Sequence, residues 1–151
     1  MQHFVRQAFS DDVEELQRFE VEARSQLELF RGGLRLANEL PIVGPLWADR
    51  INSPRWIVFV AGFDEVAMGY MCIDYGAQRD APLIEAVYVT ADARELGLGD
   101  AMVSAAIEEC ARRGAYAIDA YALPGDRETK NLFERSGLTA RLLIVTKTLG
   151  E

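Results

Sequence analysis

The sequence is nearly without the side chains that build metal centres: one histidine, His3, and two cysteines, Cys72 and Cys110, in 151 residues. A zinc site needs three or four clustered ligands, and neither cysteine belongs to a CxxC pair or stands near the histidine, so no metal is expected. Both cysteines sit inside apolar stretches and read as buried thiols of a reducing compartment, which makes the cytoplasm the expected location. No eighteen apolar residues run together, and the first twenty carry polar and acidic positions throughout, so neither a membrane span nor a secretory signal is expected. Basic excess is missing too. Asp and Glu number 24 against 16 Lys and Arg, a formal net charge of -8, which opposes the long-range attraction that nucleic-acid binders use. The same carboxylates favour a cationic amine substrate or simply keep the protein soluble. Repeats and low-complexity segments are absent. With half its residues apolar, the chain can bury one substantial core, and residues 1–151 are expected to form a single domain.

What is present is a succession of periodic segments. Phe4 to Ala8 can form a strand, and Ser10 is a good N-cap for a helix that opens on Asp11-Asp12 and keeps Val13, Leu16, Phe19, Ala23 and Leu27 on one face. Between Phe30 and Pro54 the pattern weakens, punctuated by Gly32-Gly33, Pro41, Gly44-Pro45 and Pro54 around two short amphipathic pieces, Leu34 to Leu40 and Leu46 to Ile51. This stretch is too rich in Leu, Ile and Trp for a linker and is expected to fold over something. Trp56 to Phe63 and Val66 to Tyr75, joined at Asp64-Glu65, read as a hairpin, and Leu83 to Thr90 as the next strand. Leu98, Ala101, Met102, Ala105, Ala106 and Cys110 make a helical stripe stopped at Arg112-Arg113-Gly114. Ala115 to Tyr121 reads as a short strand, Asp126 to Ser136 as a helix ended by Gly137, and Leu138 to Leu149 as a last strand.

Gly97 and Gly99 lie between a strand and a helix start, where the main chain can turn sharply with no side chain between its amides and a ligand. A helix N-terminus leaves about four N–H groups unpaired and carries roughly half a positive charge, so a phosphate is its natural occupant. Arg94, just before the turn, adds a cation. A dinucleotide fingerprint would need a small residue where Met102 stands, and a Walker A loop would need Gly-Lys-Ser/Thr, which is missing.

The segment Arg94-Glu95-Leu96-Gly97-Leu98-Gly99 instead fits the pattern Arg/Gln-x-x-Gly-x-Gly/Ala, directly after the strand Ile84-Glu85-Ala86-Val87-Tyr88-Val89. This resembles the GNAT superfamily of acyl-CoA N-acyltransferases. The resemblance runs through the order of elements, with Val66-Ala67-Met68-Gly69-Tyr70 in the hairpin and Leu132-Phe133-Glu134-Arg135-Ser136-Gly137-Leu138 near the end. It implies a mixed, mostly antiparallel α/β sheet flanked by helices, with a V-shaped splay between the fourth and fifth strands. It also implies that the amides of Glu95, Leu96, Gly97, Leu98, Gly99 and Asp100 hold the pyrophosphate of acetyl-CoA, while the backbone of Val87 and Val89 pairs with the pantetheine arm. The Asp100 carboxylate, repulsive to phosphate, is expected to turn outward.

The chemistry implied by the resemblance is direct attack of a neutral amine on the thioester. Glu85 is the candidate general base, with a solvated or salt-bridged carboxylate as the alternative, and the amide near Val89 is the candidate oxyanion contact. Counting back from Gly137, the family's frequent proton-donating tyrosine is replaced by Phe133, and its frequent cofactor-contacting Asn falls at Asp126. A thiol with a pKa of about 8.5 is a fair leaving group without help, and Tyr121, Tyr88 and Ser136 stand as unranked substitutes for the acid. Trp47 and Trp56 read as lining or core residues, and Glu20, Glu22, Glu28 and Asp49 as steering carboxylates or a solvated face. The expected activity is acetyl transfer to a primary amine of a small molecule or protein, with a GNAT-like acyl-CoA-binding sensor of weak or no activity as the alternative. The assembly is left between monomer and homodimer.

Overall fold

The computed structural model describes residues 2–76 and 78–150. Five strands lie in sequence order across one sheet: β1 (His3–Gln7), β2 (Trp56–Phe63), β3 (Val66–Asp74), β4 (Leu83–Val89) and β5 (Asp119–Ala120). The first four pair antiparallel, and β5 joins β4 in parallel. Helices α1 (Val13–Leu27), α2 (Gly33–Glu39), α3 (Trp47–Ile51), α4 (Leu98–Arg112) and α5 (Arg127–Arg135) flank the sheet.

Alternation along the strands builds two apolar layers. Ile57, Phe59, Ala61 and Phe63 of β2, with Met71 and Ile73 of β3, pack against Leu98, Met102, Val103, Ala106 and Cys110 of α4 and Leu132 and Phe133 of α5. The intervening Val58, Val60, Tyr70 and Cys72 face Leu16 and Phe19 of α1 and Trp47 of α3. Each fully buried large side chain contributes about 1.5–3 kcal/mol, so Phe19 and Trp47, both essentially inaccessible, fasten the helical third to the sheet. The β2–β3 hairpin turns on Asp64 and Glu65, both with positive φ, the backbone that a two-residue turn needs to follow strand twist.

Three expectations are corrected. Ser10 is not the cap: residues Ser10–Asp12 form a 3-10 turn and Asp12 takes the N-cap position of α1 without a side-chain cap bond, its carboxylate accepting instead from Phe9 N–H (2.9 Å) and twice from Arg6 (2.7 and 2.9 Å). Charge-assisted bonds of this kind outweigh what a serine hydroxyl offers. The fifth strand keeps only Asp119–Ala120 of the expected Ala115 to Tyr121, because its neighbour β4 bends away after two paired residues.

The last strand, Leu138 to Leu149, does not form at all. Arg141 grips Asp119 with two bonds (3.1 and 2.7 Å), and Arg35 donates to Thr146 Oγ1 (2.8 Å). Between these anchors Leu142, Leu143, Ile144 and Val145 remain 68–91% exposed. Four successive apolar residues need cover on both faces, and β5 is too short to template such a neighbour.

Candidate active site

The register of β3 and β4 sets Cys72 opposite Ala86 and Ile73 opposite Ile84, which leaves Glu85 as the extra residue of a bulge. Before the bulge β4 pairs with β5, where Tyr121 N–H reaches Ile84 O (3.2 Å). Beyond Ile84 no residue of β4 pairs with β5, and the strands part. Thr90 N–H donates to Met68 O (2.8 Å), so the alternation of the antiparallel ladder directs Tyr88 toward β3 and turns the backbone of Val87 and Val89 into the gap.

After β4 the chain makes a short 3-10 turn, Ala91–Ala93, and enters α4 through Glu95 (φ 63°) and Gly97 (φ 89°). A left-handed conformation at Gly97 costs a side-chain-bearing residue about 1–2 kcal/mol. Gly99 serves a different need, since a Cβ there would come within 3.2 Å of the Leu132 side chain and press α4 away from α5. The first bond of the helix is Ala101 N–H to Gly97 O (3.0 Å). Among the described residues no acceptor pairs with the amides of Glu95 through Asp100, so six successive donors along the loop are left unpaired.

Loop and gap open into a cavity of about 800 Å³. Its lining brings together Glu85, Val87 and Val89 of β4, Arg94, Glu95, Gly97, Gly99 and Asp100 of the loop, and Asp126 and Phe133 around α5. Leu98 also lines it while buried beneath the loop, whereas Leu96 is half exposed. Phe30, Leu36, Leu40 and Trp47 line the cavity as well, so the weakly periodic segment covers the cleft.

Several side chains of the cleft have partners within the protein. Arg94 gives its Nε–H to the Val89 carbonyl (3.0 Å) and an Nη2–H to Gln26 (2.9 Å), which ties the loop back to β4 and α1. Val89 therefore has its carbonyl occupied. Asp100 is turned to Arg135 by two bonds of 3.2 Å. Asp126 caps α5, accepting from Thr129 N–H (3.1 Å) and Thr129 Oγ1 (2.7 Å). Phe133 is buried in the α4–α5 layer and offers no proton.

The three hydroxyls sort by geometry. Ser136 donates to the Leu132 carbonyl (3.0 Å) within its own helix end. Tyr88 donates to Glu22 (2.6 Å), and burial, reinforced by that carboxylate, pushes its phenol up to about 12. Tyr121 is partly exposed and lines the cavity. Glu20 is a structural clasp: buried, it accepts from Val43 N–H (2.8 Å), Gly44 N–H (2.9 Å) and the Trp47 indole (3.2 Å). Glu28 ends α1 on the surface and Asp49 is exposed on α3. His3 is the first residue of β1, exposed and remote in sequence from the loop.

Sequence reasoning missed Arg50. Its Nη1 donates to Glu85 Oε1 (2.8 Å) and lies 3.4 Å from Cys72 Sγ, and the pair Arg50/Glu85 retains only 11% and 14% side-chain exposure. The guanidinium lies 3.5 Å from the centroid of the Trp56 ring. Glu85 is thus a buried ion-pair partner at the bulge. The available signal was faint: an arginine three positions after Trp47 on one short helix.

A model of the Acetyltransferase (GNAT) family matches residues 24–138. The chain belongs to this family. As a GNAT protein it is an acetyltransferase, and acetyl-CoA is the family's acyl donor. None of the curated proteins matches the sequence. A transcriptional regulator from Bacillus halodurans C-125 superposes with a TM-score of 0.71 at 19% identity, covering 98% of this chain and 100% of the other. A tetramutant of the BH1408 protein from Bacillus halodurans gives 0.78 at 15% identity, over 97% and 99%. The protein AAC(6')-Iy, solved with the bisubstrate analog CoA-S-monomethyl-acetylneamine, gives 0.66 at 17%, over 98% and 99%. At these identities the likeness is one of fold. The GNAT protein thus has the mixed, mostly antiparallel sheet flanked by helices that the resemblance implies, here with five strands and a parallel β4–β5 pair.

Proposed function

We propose that residues 1–151 act as one acyltransferase domain that moves an acetyl group from acetyl-CoA to a primary amine by direct attack. The observation that carries this reading is the set of six amides from Glu95 to Asp100, free of internal acceptors and placed beside the β4–β5 gap. Such a nest suits a diphosphate, and the gap-facing backbone of Val87 and Val89 suits the amide groups of a pantetheine arm. Arg94 belongs to this surface through its hold on the Val89 carbonyl, leaving the Val89 N–H toward the gap as an oxyanion donor. Acetyl-CoA supplies the acetyl group as a thioester.

In the transfer an N–C bond forms as the C–S bond breaks. The acceptor ammonium gives up two protons, one to the departing sulfur and one to solvent, and Glu85 at the bulge is the group that relays them, directly or through water. Phe133 and the capping role of Asp126 favour a second, weaker variant of the reading, a slow or silent acyl-CoA binder. Two cysteines without a disulfide support a cytoplasmic setting. The exposed run Leu142 to Val145 supports a homodimer.

The deciding experiment mixes purified protein with acetyl-CoA and a broad amine panel and follows free thiol, with calorimetry for CoA, ATP and NAD alongside. Tight CoA binding with turnover supports the enzyme, tight binding without turnover supports the silent binder, and preference for ATP or NAD removes both.

A further inference from the structure

A second hollow, of about 590 Å³, lies against the other side of the Arg50–Glu85 pair. Leu40, Pro41, Val43, Arg50 and Glu85 line both hollows, so this wall is where a group in the large cavity and a group in the smaller one meet the same carboxylate. Four carboxylates and three guanidiniums line the second hollow. Asp74 is held by Arg55 (3.0 Å) and Arg79 (3.2 Å), Glu39 by Arg35 (2.9 Å) and Glu85 by Arg50 (2.8 Å), while Asp49 has no ion pair among the described residues. Ile42, Leu46 and Trp56 add apolar surface.

We propose that the second hollow receives the acceptor, and that the acceptor is a zwitterion: an α-amino acid with an apolar side chain, its ammonium on Glu85 and its carboxylate on Arg50. This rests on the acyltransferase reading and narrows its substrate class. The argument is one of pairing. A simple amine entering beside Glu85 competes with Arg50 and leaves a buried guanidinium without a counter-charge, which is strongly unfavourable. A zwitterion replaces one ion pair by two, so every buried charge keeps a partner. A polycation such as an aminoglycoside needs several unclaimed carboxylates, and here three of the four already have arginine partners. Trp56, stacked beneath Arg50, keeps the planar fork in place for bidentate capture of a carboxylate.

The test compares kcat/KM for leucine, leucinamide, isoamylamine and kanamycin at saturating acetyl-CoA, in the wild type and in Arg50→Met and Arg50→Lys, with CoA affinity measured on each. Leucine is expected to exceed the amide and the decarboxylated amine by at least tenfold. Arg50→Met is expected to erase or invert that ratio at unchanged CoA affinity, a change in selectivity that a purely structural arginine would not produce. Arg50→Lys, should the methionine variant not fold, is expected to narrow the ratio while retaining its sign. Equal or better rates with isoamylamine or kanamycin, or a ratio indifferent to both variants, overturn the proposal while leaving the acyltransferase reading in place. Transfer to no acceptor overturns it too, and loss of CoA binding in the same protein shows that the broader reading falls with it.

Discussion

Asp100 and Arg135 hold each other by two hydrogen bonds of 3.2 Å, and the second residue of the pair comes from α5, thirty-five positions away. The carboxylate is thereby neutralised at the place where a diphosphate would meet the loop. Arg135→Ala is expected to free it and weaken CoA binding by about 1 kcal/mol, roughly fivefold. Adding Asp100→Asn should restore most of the affinity. Calorimetry on the single and double variants decides: failure of the second change to recover affinity would mean that Arg135 itself touches the ligand.

Gly97 offers a cleaner probe of the loop, because a Cβ there meets nothing within 4 Å. Gly97→Ala should cost about 1–2 kcal/mol of stability through its positive φ alone. Gly97→Asp carries the same strain plus a charge aimed at the amide nest, and its CoA affinity should fall more than tenfold below that of the alanine variant. Equal affinity for the two would move the diphosphate elsewhere.

Glu85→Gln keeps the shape of the bulge and removes the charge. If the carboxylate relays protons, kcat should drop about a hundredfold with little change in CoA affinity. Arg50 loses its counter-charge in the same variant, so a lower melting temperature is expected as well. A wild-type kcat in the folded Glu85→Gln variant would remove Glu85 from the chemistry and leave it as a structural partner.

Asp74 makes a prediction about acid. Burial opposes its charge, but Arg55, the Gly76 amide and Arg79 together hold its carboxyl below the usual range. Its contribution is therefore complete above the unfolded value of about 3.9 and disappears as pH falls through the lower folded value. Asp74→Asn should lower stability at pH 7 by about 1–2 kcal/mol, discounted because Arg55 and Arg79 are well exposed. The difference from wild type should shrink toward pH 2 in denaturant titrations, and a gap independent of pH would contradict this account.

The thiols should be silent in the native state. Burial pushes Cys72 up to about 12 and Cys110 to about 11, so at pH 8 the thiolate fraction of Cys72 is on the order of one in ten thousand. A chromogenic disulfide reagent should find no fast-reacting protein thiol before denaturant is added and two after it. Rapid native reaction would show that the layer over Cys72 opens.

The sheet, its helices and the position of the glycine loop were legible because each depends on local period and on glycine placement. Residues 56–63 and 66–74 are two strand-length apolar runs divided only at Asp64-Glu65, and the stripe from Leu98 to Cys110 has one helical solution. The tail misled for the same reason: Leu142 to Val145 has strand composition, but a strand needs a neighbour that composition cannot supply. Arg50 was invisible because its importance comes from a contact with Glu85 across thirty-five residues, on a helix of five whose flanking period is poor. Arg94 lines the cavity as its place before the turn suggests, but its bonds to Val89 and Gln26 are set by distance and not by sequence spacing.

The single inserted residue at Glu85 has an effect on everything after it in β4. Side chains on a strand change sides at every step, so one extra position exchanges odd for even. Ile84 shares the α4 layer with Val87 and Val89, an odd separation from the first, while Ala86 and Tyr88 lie on the α1 side. Deleting Glu85 would thus do more than remove a carboxylate. It would return β4 to an unbroken ladder in which Ala86, Tyr88 and Val89 keep their present sides and partners, and would remove the local bend at the point where β4 leaves β5.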